Sequence, residues 1–236
     1  MSSNTKHTYV LIAGAWHGGW VWRDVIPQLR LAGHAVTAPT LTGLGERRHA
    51  ATNSTGLQTH IQDIVEHIEM EGLSAVTLVG WSYGGMVLAG VASRIPERIK
   101  SVIYVDAFVP EDGKSMFDYL NPDVRAHLEG CVSRNEPIPP MPLELFGVTE
   151  PAIVEFMTPR LVPQPSRTFV EPVQLSPLPE SISVGYLFCS GYQALFTHFY
   201  EQAKDDPRVK TAAIDTGHVC MLTEPAETAR LLLELA

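Results

Sequence analysis

The sequence predicts an α/β fold in which a mostly parallel sheet of about six strands is covered by helices on both faces. Short apolar runs alternate with helical patterns along most of the 236 residues, and a hydrophobic content of 45% is sufficient for a large core. Strands that alternate with helices are joined by right-handed crossovers and therefore lie parallel. A proline-rich stretch interrupts the alternation once, which indicates an insertion between two strands.

The elements follow from the apolar runs and from the periodicity between them. Six runs predict short buried strands: Tyr9–Ile12, Ala35–Ala38, Ala75–Val79, Ile99–Val105, Val184–Cys189 and Val209–Ile214. Five segments have the helical spacing of apolar residues: Trp20–Leu31, Leu57–Glu71, Tyr83–Ile95, Ala194–Lys204 and Glu224–Leu235.

The insertion extends from about Pro110 to Pro179 and separates two parts of the core, residues 1–109 and 180–236. Its prolines are disfavoured in central strands and helix interiors, as in the run from Pro137 to Pro142. Its apolar and aromatic residues, among them Phe117 and Phe156, argue against a disordered linker. We expect residues 110–179 to form a helical and irregular lid that packs over one end of the sheet and provides a pocket wall.

The overall charge restricts the partners and the cysteines indicate the compartment. A formal net charge of −9 argues against binding nucleic acid or an anionic membrane. No apolar run reaches the roughly 18 residues of a membrane span, and the apolar stretch near the N-terminus is too short for a signal peptide. The three cysteines, Cys131, Cys189 and Cys220, are odd in number and widely spaced, so they form no disulfide framework. A reducing cytoplasm is therefore expected. The expected partner is a small-molecule substrate, and a homodimer is left open.

One serine lies in a motif that is typical of a nucleophile. Gly80-Trp81-Ser82-Tyr83-Gly84 fits the pattern G-x-S-x-G, directly after an apolar strand and directly before a helical pattern. This context predicts a sharp strand–turn–helix elbow that exposes the serine hydroxyl at the carboxyl edge of the sheet. The small residues on both sides of the turn avoid collision with neighbouring backbone. The alternative is an ordinary turn that is rich in glycine.

A serine hydroxyl needs a base, and His218 is the best of the nine histidines. It follows the last predicted strand, and Thr216-Gly217 permits a turn that directs the ring back across the sheet edge. The other histidines have no such setting, apart from His17 in the loop after the first strand. Without the serine elbow His218 would be read as an ordinary structural histidine.

The acid that orients this histidine is less evident. Such an acid is commonest after the next-to-last strand, but no Asp or Glu occurs between Ser181 and Tyr200. Asp106 ends the strand after the serine elbow, so it lies at the same sheet edge and keeps the chain order serine, acid, histidine. Asp106 is therefore the predicted acid. Asp215 is the rival, and a role for Asp106 as a strand-end cap is the alternative.

Acyl transfer also needs donors where negative charge develops. The backbone N–H of Tyr83, directly after the serine, is one expected donor, and that of Ala15 in the glycine-rich loop after the first strand is the other. Trp16 and His17, together with Trp81 beside the serine, are expected to line the substrate pocket. The loop could instead be only a glycine-rich entry to a helix.

Several segments together resemble the α/β-hydrolase superfamily over nearly the whole chain. AGAWHGGWVW, GHAVTAPTLTGLGER, VGWSYGGMV and YVDAFVPEDG are similar to the group that contains plant methylesterases, hydroxynitrile lyases and their bacterial relatives. The resemblance implies the α/β-hydrolase fold, catalysis without metal or organic cofactor, and the same roles for Ser82, His218, Ala15 and Tyr83.

The chain departs from that group at three places. Members commonly have histidine where this chain has Ala13, and their acid position aligns with about Tyr192, which favours Asp106. The lyases have a lysine directly after the histidine and a threonine before the oxyanion residue, where this chain has Val219 and Gly14. Cyanohydrin cleavage is therefore disfavoured.

The leading hypothesis is a serine hydrolase that cleaves a small, largely apolar ester, carbamate or activated amide through an acyl-enzyme. Two alternatives remain open: a cofactor-independent lyase or oxygenase on the same fold, in which Ser82 binds substrate and His218 is the main base, and a hydrolase-like ligand receptor. Formation of an acyl-enzyme distinguishes the first from the second, and negligible turnover with tight binding would indicate the third.

Overall fold

The computed structural model describes residues 7–192 and 196–236. Its strands are β1 (Thr8–Ile12), β2 (Ala35–Thr37), β3 (Val76–Trp81), β4 (Ile99–Val105), β5 (Ser183–Cys189) and β6 (Val209–Ile214). Its α-helices are α1 (Val25–Leu31), α2 (Leu57–Met70), α3 (Gly84–Arg94), α4 (Pro122–Ser133), α5 (Pro151–Met157), α6 (Arg167–Val170), α7 (Thr197–Asp205), α8 (Cys220–Thr223) and α9 (Pro225–Leu235).

The strands form one parallel sheet in the order β2-β1-β3-β4-β5-β6. Alternate residues of β1 enter two different cores: Val10 and Ile12 pack with α2, α3 and α7, whereas Tyr9 and Leu11 pack with α1 and α9. Both faces of the sheet are thus covered, and the predicted fold class is confirmed.

The predicted elements agree with the structure except near their ends. The segment Trp20–Leu31 is two elements, a 3₁₀ turn at Gly19–Trp22 and then α1. Pro27 explains the break, because proline lacks an N–H and clashes with the preceding turn, so it is tolerated only in the first turn of a helix. The helix expected from Ala194 is seen as α7, and Ala194 itself lies outside the described residues. The short helix α8 was not predicted.

Three helices, α4 to α6, and three 3₁₀ turns, at Met116–Tyr119, Leu143–Phe146 and Thr158–Arg160, lie between β4 and β5. We call this segment, residues 110–179, the insertion. No helix among the described residues is long and apolar enough to cross a membrane.

The sheet topology determines where a site can form. Because all six strands are parallel, the turns that follow them meet at one edge, the carboxyl edge. The chain leaves β1 toward β2 on one side and later returns to add β3 on the other side of β1. Parallel sheets bind ligands at such a switch point, where the turns after the two strands diverge.

Candidate active site

Ser82 lies on the sharp turn between β3 and α3, at the switch point. Its φ is 56°, in the left-handed region that a non-glycine residue rarely adopts. Its N–H donates to the Val105 carbonyl at 3.2 Å, which fixes the turn to the end of β4. Its hydroxyl makes no hydrogen bond with any described residue, and the side chain borders two adjoining cavities.

The two glycines of the motif permit this turn for a steric reason. A Cβ on Gly80 would lie 2.5 Å from the Gly84 carbonyl oxygen, and a Cβ on Gly84 would lie 2.9 Å from that of Ile12. Both distances are shorter than real Cβ contacts. The expectation that small residues avoid collision with neighbouring backbone therefore agrees with the structure.

His218 is buried at the carboxyl edge, on the turn between β6 and α8. Its Nδ1–H donates to Asp106 Oδ2 at 2.7 Å, since the carboxylate can only accept. The imidazole is stacked on Phe196 and Phe146, with ring centroids 5.0 and 5.5 Å away. Its backbone is held as well: the N–H donates to the Phe146 carbonyl, and the carbonyl accepts from Trp81 Nε1.

Asp106 directly follows β4 and is fully buried, with a φ of 42°. Besides His218, its carboxylate accepts the Tyr192 hydroxyl on Oδ2 at 2.8 Å and the Cys189 N–H on Oδ1 at 3.2 Å. Three donors compensate the loss of water around a buried carboxylate. Asp215, the rival acid, is exposed and makes no hydrogen bond with His218 or any other described residue. The structure therefore brings Asp106, and not Asp215, to His218.

Two backbone N–H groups near Ser82 have no acceptor among the described residues, those of Ala15 and Tyr83. Buried backbone donors are nearly always paired, so two unpaired donors near the same serine are unusual. The loop of Ala15 is fixed by its neighbour Trp16, whose φ is 67°. The Trp16 N–H donates to Gln164 Oε1 at 2.9 Å, and its indole N–H donates to the Ile138 carbonyl at 3.1 Å.

Trp16, His17 and Trp81 all border the cavities. Trp16 borders both, whereas His17 and Trp81 border only one of them and contact each other edge to face at 4.8 Å. His17 Nδ1–H donates to the Ala15 carbonyl at 2.5 Å. Burial lowers the pKa of His17 to about 4, so the ring is neutral at physiological pH.

The two cavities differ in volume. The small chamber, of about 20 Å³, also borders His218 and is completed by Pro140, Leu143, Met157, Leu161 and Val219. The large chamber, of about 390 Å³, is predominantly apolar and is formed by Phe108, Met116, Leu120, Asn121, Val124, Leu128, Leu145, Phe169, Tyr192 and Phe196. Ala15, Trp16, Ser82, Met141 and Phe146 border both. Ser82 thus lies between a chamber for roughly one water-sized group and a chamber for a bulky apolar group.

The sequence did not reveal every contact of the site. Gln164 lies in the insertion, and its bond to Trp16 spans 148 positions along the chain, so no local pattern indicates it. Tyr192 is neutral, and nothing in the sequence around it indicates its hydrogen bond to Asp106. Phe146 and Phe196 are apolar residues whose stacking on an imidazole cannot be read from composition.

Comparison with known proteins identifies the family. The model of the alpha/beta hydrolase family matches residues 9–231. A carbendazim hydrolyzing esterase from Nocardioides sp. (strain SG-4G) is 38% identical, over 96% of this chain and 98% of its own length. Methylesterase 7 from Arabidopsis thaliana is 27% identical, over 100% of this chain and 98% of its own. The chain belongs to the alpha/beta hydrolase family.

A solved structure supports the same conclusion. It is an extracellular α/β-hydrolase from a Paenibacillus species, described as sharing structural and functional homology with tobacco Salicylic Acid Binding Protein 2. It is 25% identical to this chain and superimposes with a TM-score of 0.84, over 98% of this chain and 99% of its own. The predicted family, fold and hydrolase class are confirmed.

Proposed function

We propose that this protein is a serine esterase whose catalytic triad is Ser82, His218 and Asp106. One observation carries the proposal: a buried carboxylate holds the His218 imidazole at 2.7 Å at the edge of the cavity that exposes the Ser82 hydroxyl. The carboxylate fixes the tautomer with the proton on Nδ1, which leaves Nε2 free to act as the base. The relatives support hydrolysis of a small ester or carbamate as the reaction class.

The proposed reaction has two halves. His218 Nε2 takes the proton from Ser82 Oγ as the oxygen attacks the carbonyl carbon, and the carbonyl oxygen becomes an oxyanion. The N–H groups of Ala15 and Tyr83 donate to this oxyanion, with the positive end of α3 directed at it. His218 then gives the proton to the leaving oxygen, so an alcohol departs and an acyl-enzyme forms. Water, deprotonated by His218, attacks the acyl carbon and regenerates Ser82.

The chambers support an orientation for the substrate. The leaving group must lie next to His218, which borders the small chamber and not the large one. The acyl group then occupies the apolar large chamber. We therefore propose methyl or similarly small alkyl esters and carbamates of bulky, apolar acids as substrates. The names of the relatives, a carbendazim hydrolyzing esterase and a methylesterase, agree with this proposal.

Trp16, His17 and Trp81 are proposed as substrate-binding residues of the small chamber, with Trp16 shared between both. The insertion is proposed as a lid over a core formed by residues 1–109 and 180–236, because it supplies most of the walls of the large chamber. We place the enzyme in the cytoplasm because Cys131, Cys189 and Cys220 are free thiols. Its proposed partner is a small molecule, with no nucleic acid, membrane, metal or organic cofactor involved.

The test is hydrolysis of methyl phenylacetate by the parent and by Ser82→Ala. We expect the variant to lose activity by about 10⁴-fold or more, because no other group supplies the nucleophile. Ser133→Ala is the matched control, since Ser133 is exposed on α4 and borders neither cavity. Rapid quenching of the parent should show a mass increase equal to the phenylacetyl group. Unchanged turnover by Ser82→Ala would exclude the proposal.

A further inference from the structure

Tyr192 lies on the turn after β5, and its hydroxyl donates to the same carboxylate oxygen as His218. The Tyr192 hydroxyl lies 2.8 Å from Asp106 Oδ2, and His218 Nδ1 lies 2.7 Å from that oxygen. We propose that Tyr192 is a positioning residue: its hydroxyl holds the carboxylate against His218 and limits the basicity that the carboxylate confers on the imidazole. This inference rests on the proposed function.

The direction of the hydrogen bond is set by the environment of the phenol. Burial and the neighbouring Asp106 raise the pKa of Tyr192 far above its usual range. The hydroxyl therefore keeps its proton at neutral pH, and it donates that proton to the carboxylate. Tyr192 thus does not replace the acid; it stabilises the negative charge of Asp106, which follows the neighbouring strand β4.

Sharing one oxygen between two donors has a chemical consequence. Asp106 Oδ1 is bonded separately to the Cys189 N–H, so Oδ2 alone serves both Tyr192 and His218. Each donor withdraws part of the charge on that oxygen, and the bond to the other donor is weaker as a result. Without the phenol the carboxylate would attract the protonated imidazole more strongly, and His218 would keep its proton to a higher pH.

The position of the phenol is fixed by two other segments. A Cβ on Gly147 of the insertion would lie 2.8 Å from Tyr192 Cβ, so Gly147 is packed directly against this side chain. The N–H of Gly191, the preceding residue, donates to the Thr216 carbonyl at 3.0 Å. The turn after β5 is therefore held between the insertion and the turn that carries His218. Tyr192 also borders the large chamber, where the acyl group is proposed to bind.

Other ionisable groups near the pair do not compete for this role. Tyr186 donates to the Ala107 carbonyl and not to the carboxylate, and burial raises its pKa well above the usual value. A hydrogen bond with neighbouring Cys220, together with burial, raises the pKa of Cys189. His17, beside His218, has a pKa lowered by burial to about 4. Tyr186, Cys189 and His17 therefore keep one charge state through the neutral range.

The experiment compares Tyr192→Phe with the parent in the pH profile of kcat/KM for methyl phenylacetate. We expect the acid limb to move to higher pH by about 0.5 to 1 unit, and kcat to fall about threefold to tenfold. KM should change by less than about twofold, because the ring that borders the chamber is retained. Tyr192→Ala removes the ring as well and should raise KM in addition.

Tyr119→Phe is the matched control, because this hydroxyl accepts the Glu111 N–H and Tyr119 borders neither chamber. Its acid limb should coincide with that of the parent. A second readout needs no substrate: the proton NMR resonance of His218 Nδ1–H should move downfield in Tyr192→Phe. An unmoved acid limb and an unmoved resonance would overturn the role of Tyr192. Activity that survives Ser82→Ala would instead overturn the proposed function, so the two failures are distinguishable.

Discussion

Three residues of the candidate site are held in a backbone conformation that is unfavourable for their side chains. The described part of the chain has five non-glycine residues with positive φ, and Trp16, Ser82 and Asp106 are three of them. Such a conformation costs about 1–3 kcal/mol per residue and persists only where the surroundings enforce it. Ser82 directly follows β3, Asp106 directly follows β4, and Trp16 lies in the loop after β1. The stability of the rest of the fold therefore offsets this strain. The strained backbone brings the Asp106 carboxylate, the Ser82 hydroxyl and the loop of Trp16 together at the carboxyl edge of the sheet.

At this scale the assignment of the acid gives a direct prediction. Asp106→Asn retains the size of the side chain but cannot stabilise an imidazolium, and its amide N–H₂ would oppose the Nδ1–H of His218. We therefore expect kcat for methyl phenylacetate to fall by up to about 10⁴-fold. KM should change little, because Asp106 borders neither chamber.

Asp215→Asn is the control for this substitution, because Asp215 is exposed on the turn that carries His218. Its kcat should stay within about twofold of the parent, in line with the small effects of surface substitutions. A large loss in Asp215→Asn with little loss in Asp106→Asn would reverse the assignment of the acid.

At the scale of the elements, the insertion not only supplies walls of the large chamber but also forms hydrogen bonds with the loop after β1. Three hydrogen bonds join it to Trp16: Gln164 Oε1 and the Ile138 carbonyl accept from Trp16, and the Val162 N–H donates to its carbonyl at 3.1 Å. Trp16 directly follows Ala15, whose N–H is a proposed oxyanion donor. The insertion therefore holds the donor loop in its unfavourable conformation.

Gln164→Met tests this coupling, since methionine has a similar length but offers the Trp16 N–H no comparable acceptor. A buried N–H without a partner costs about 1–3 kcal/mol, and the loop can escape this cost by rotating. We expect kcat to fall about 10- to 100-fold, with a smaller change in KM, because the donor acts mainly on the oxyanion.

Gln62→Met is the control for the same exchange at the surface, because Gln62 is an exposed residue of α2 whose amide bonds Glu66 and Arg94. The kinetic constants for methyl phenylacetate report the effect on catalysis, and the melting temperature reports the effect on stability. A lower melting temperature with unchanged kcat in Gln164→Met would contradict a link between the insertion and the oxyanion donors.

The sequence predicted the elements of the sheet well because their signals are local. The run Ile99–Val105 is a strand with those bounds, since five of its seven residues are apolar or β-branched and the last four of them are consecutive. The turn at Ser82 was equally predictable from the sequence, because a turn this sharp requires small residues and two neighbouring glycines provide them. The order of the insertion helices α4 to α6 was not predicted, since prolines there mark helix starts as well as breaks. The contacts of Gln164 and Tyr192 depend on how distant segments pack, which no local pattern records.

In the whole molecule, the sheet edge and the insertion enclose the two chambers between them. Ser82, Ala15 and Trp16 come from the core, whereas Met141 and Phe146 come from the insertion, and all five border both chambers. The difference in volume, about 20 against about 390 Å³, is therefore a property of how the two parts pack. It implies that the enzyme should discriminate strongly among the alcohol groups of its esters and weakly among their acyl groups.

A series of esters measures this asymmetry. Methyl, ethyl and isopropyl phenylacetate differ only in the leaving alcohol, and each added carbon must enter the small chamber. Because a misfit of one methylene is worth about 1–3 kcal/mol, kcat/KM should fall at least about tenfold from methyl to isopropyl. Methyl esters with acyl groups from phenylacetyl to naphthylacetyl should stay within about threefold, since the large chamber has room for the second ring.

Leu161→Ala would enlarge the small chamber at a residue that borders it and not the other. It should raise the isopropyl-to-methyl ratio of kcat/KM by about tenfold, because the removed carbons leave space beside the leaving oxygen. Leu120→Ala, in the large chamber, is the control and should leave that ratio unchanged. If Leu120→Ala and not Leu161→Ala relaxed the alcohol preference, the leaving group would occupy the large chamber. His218 would then have to deliver its proton from the small chamber across Ser82, which the orientation proposed for the substrate does not allow.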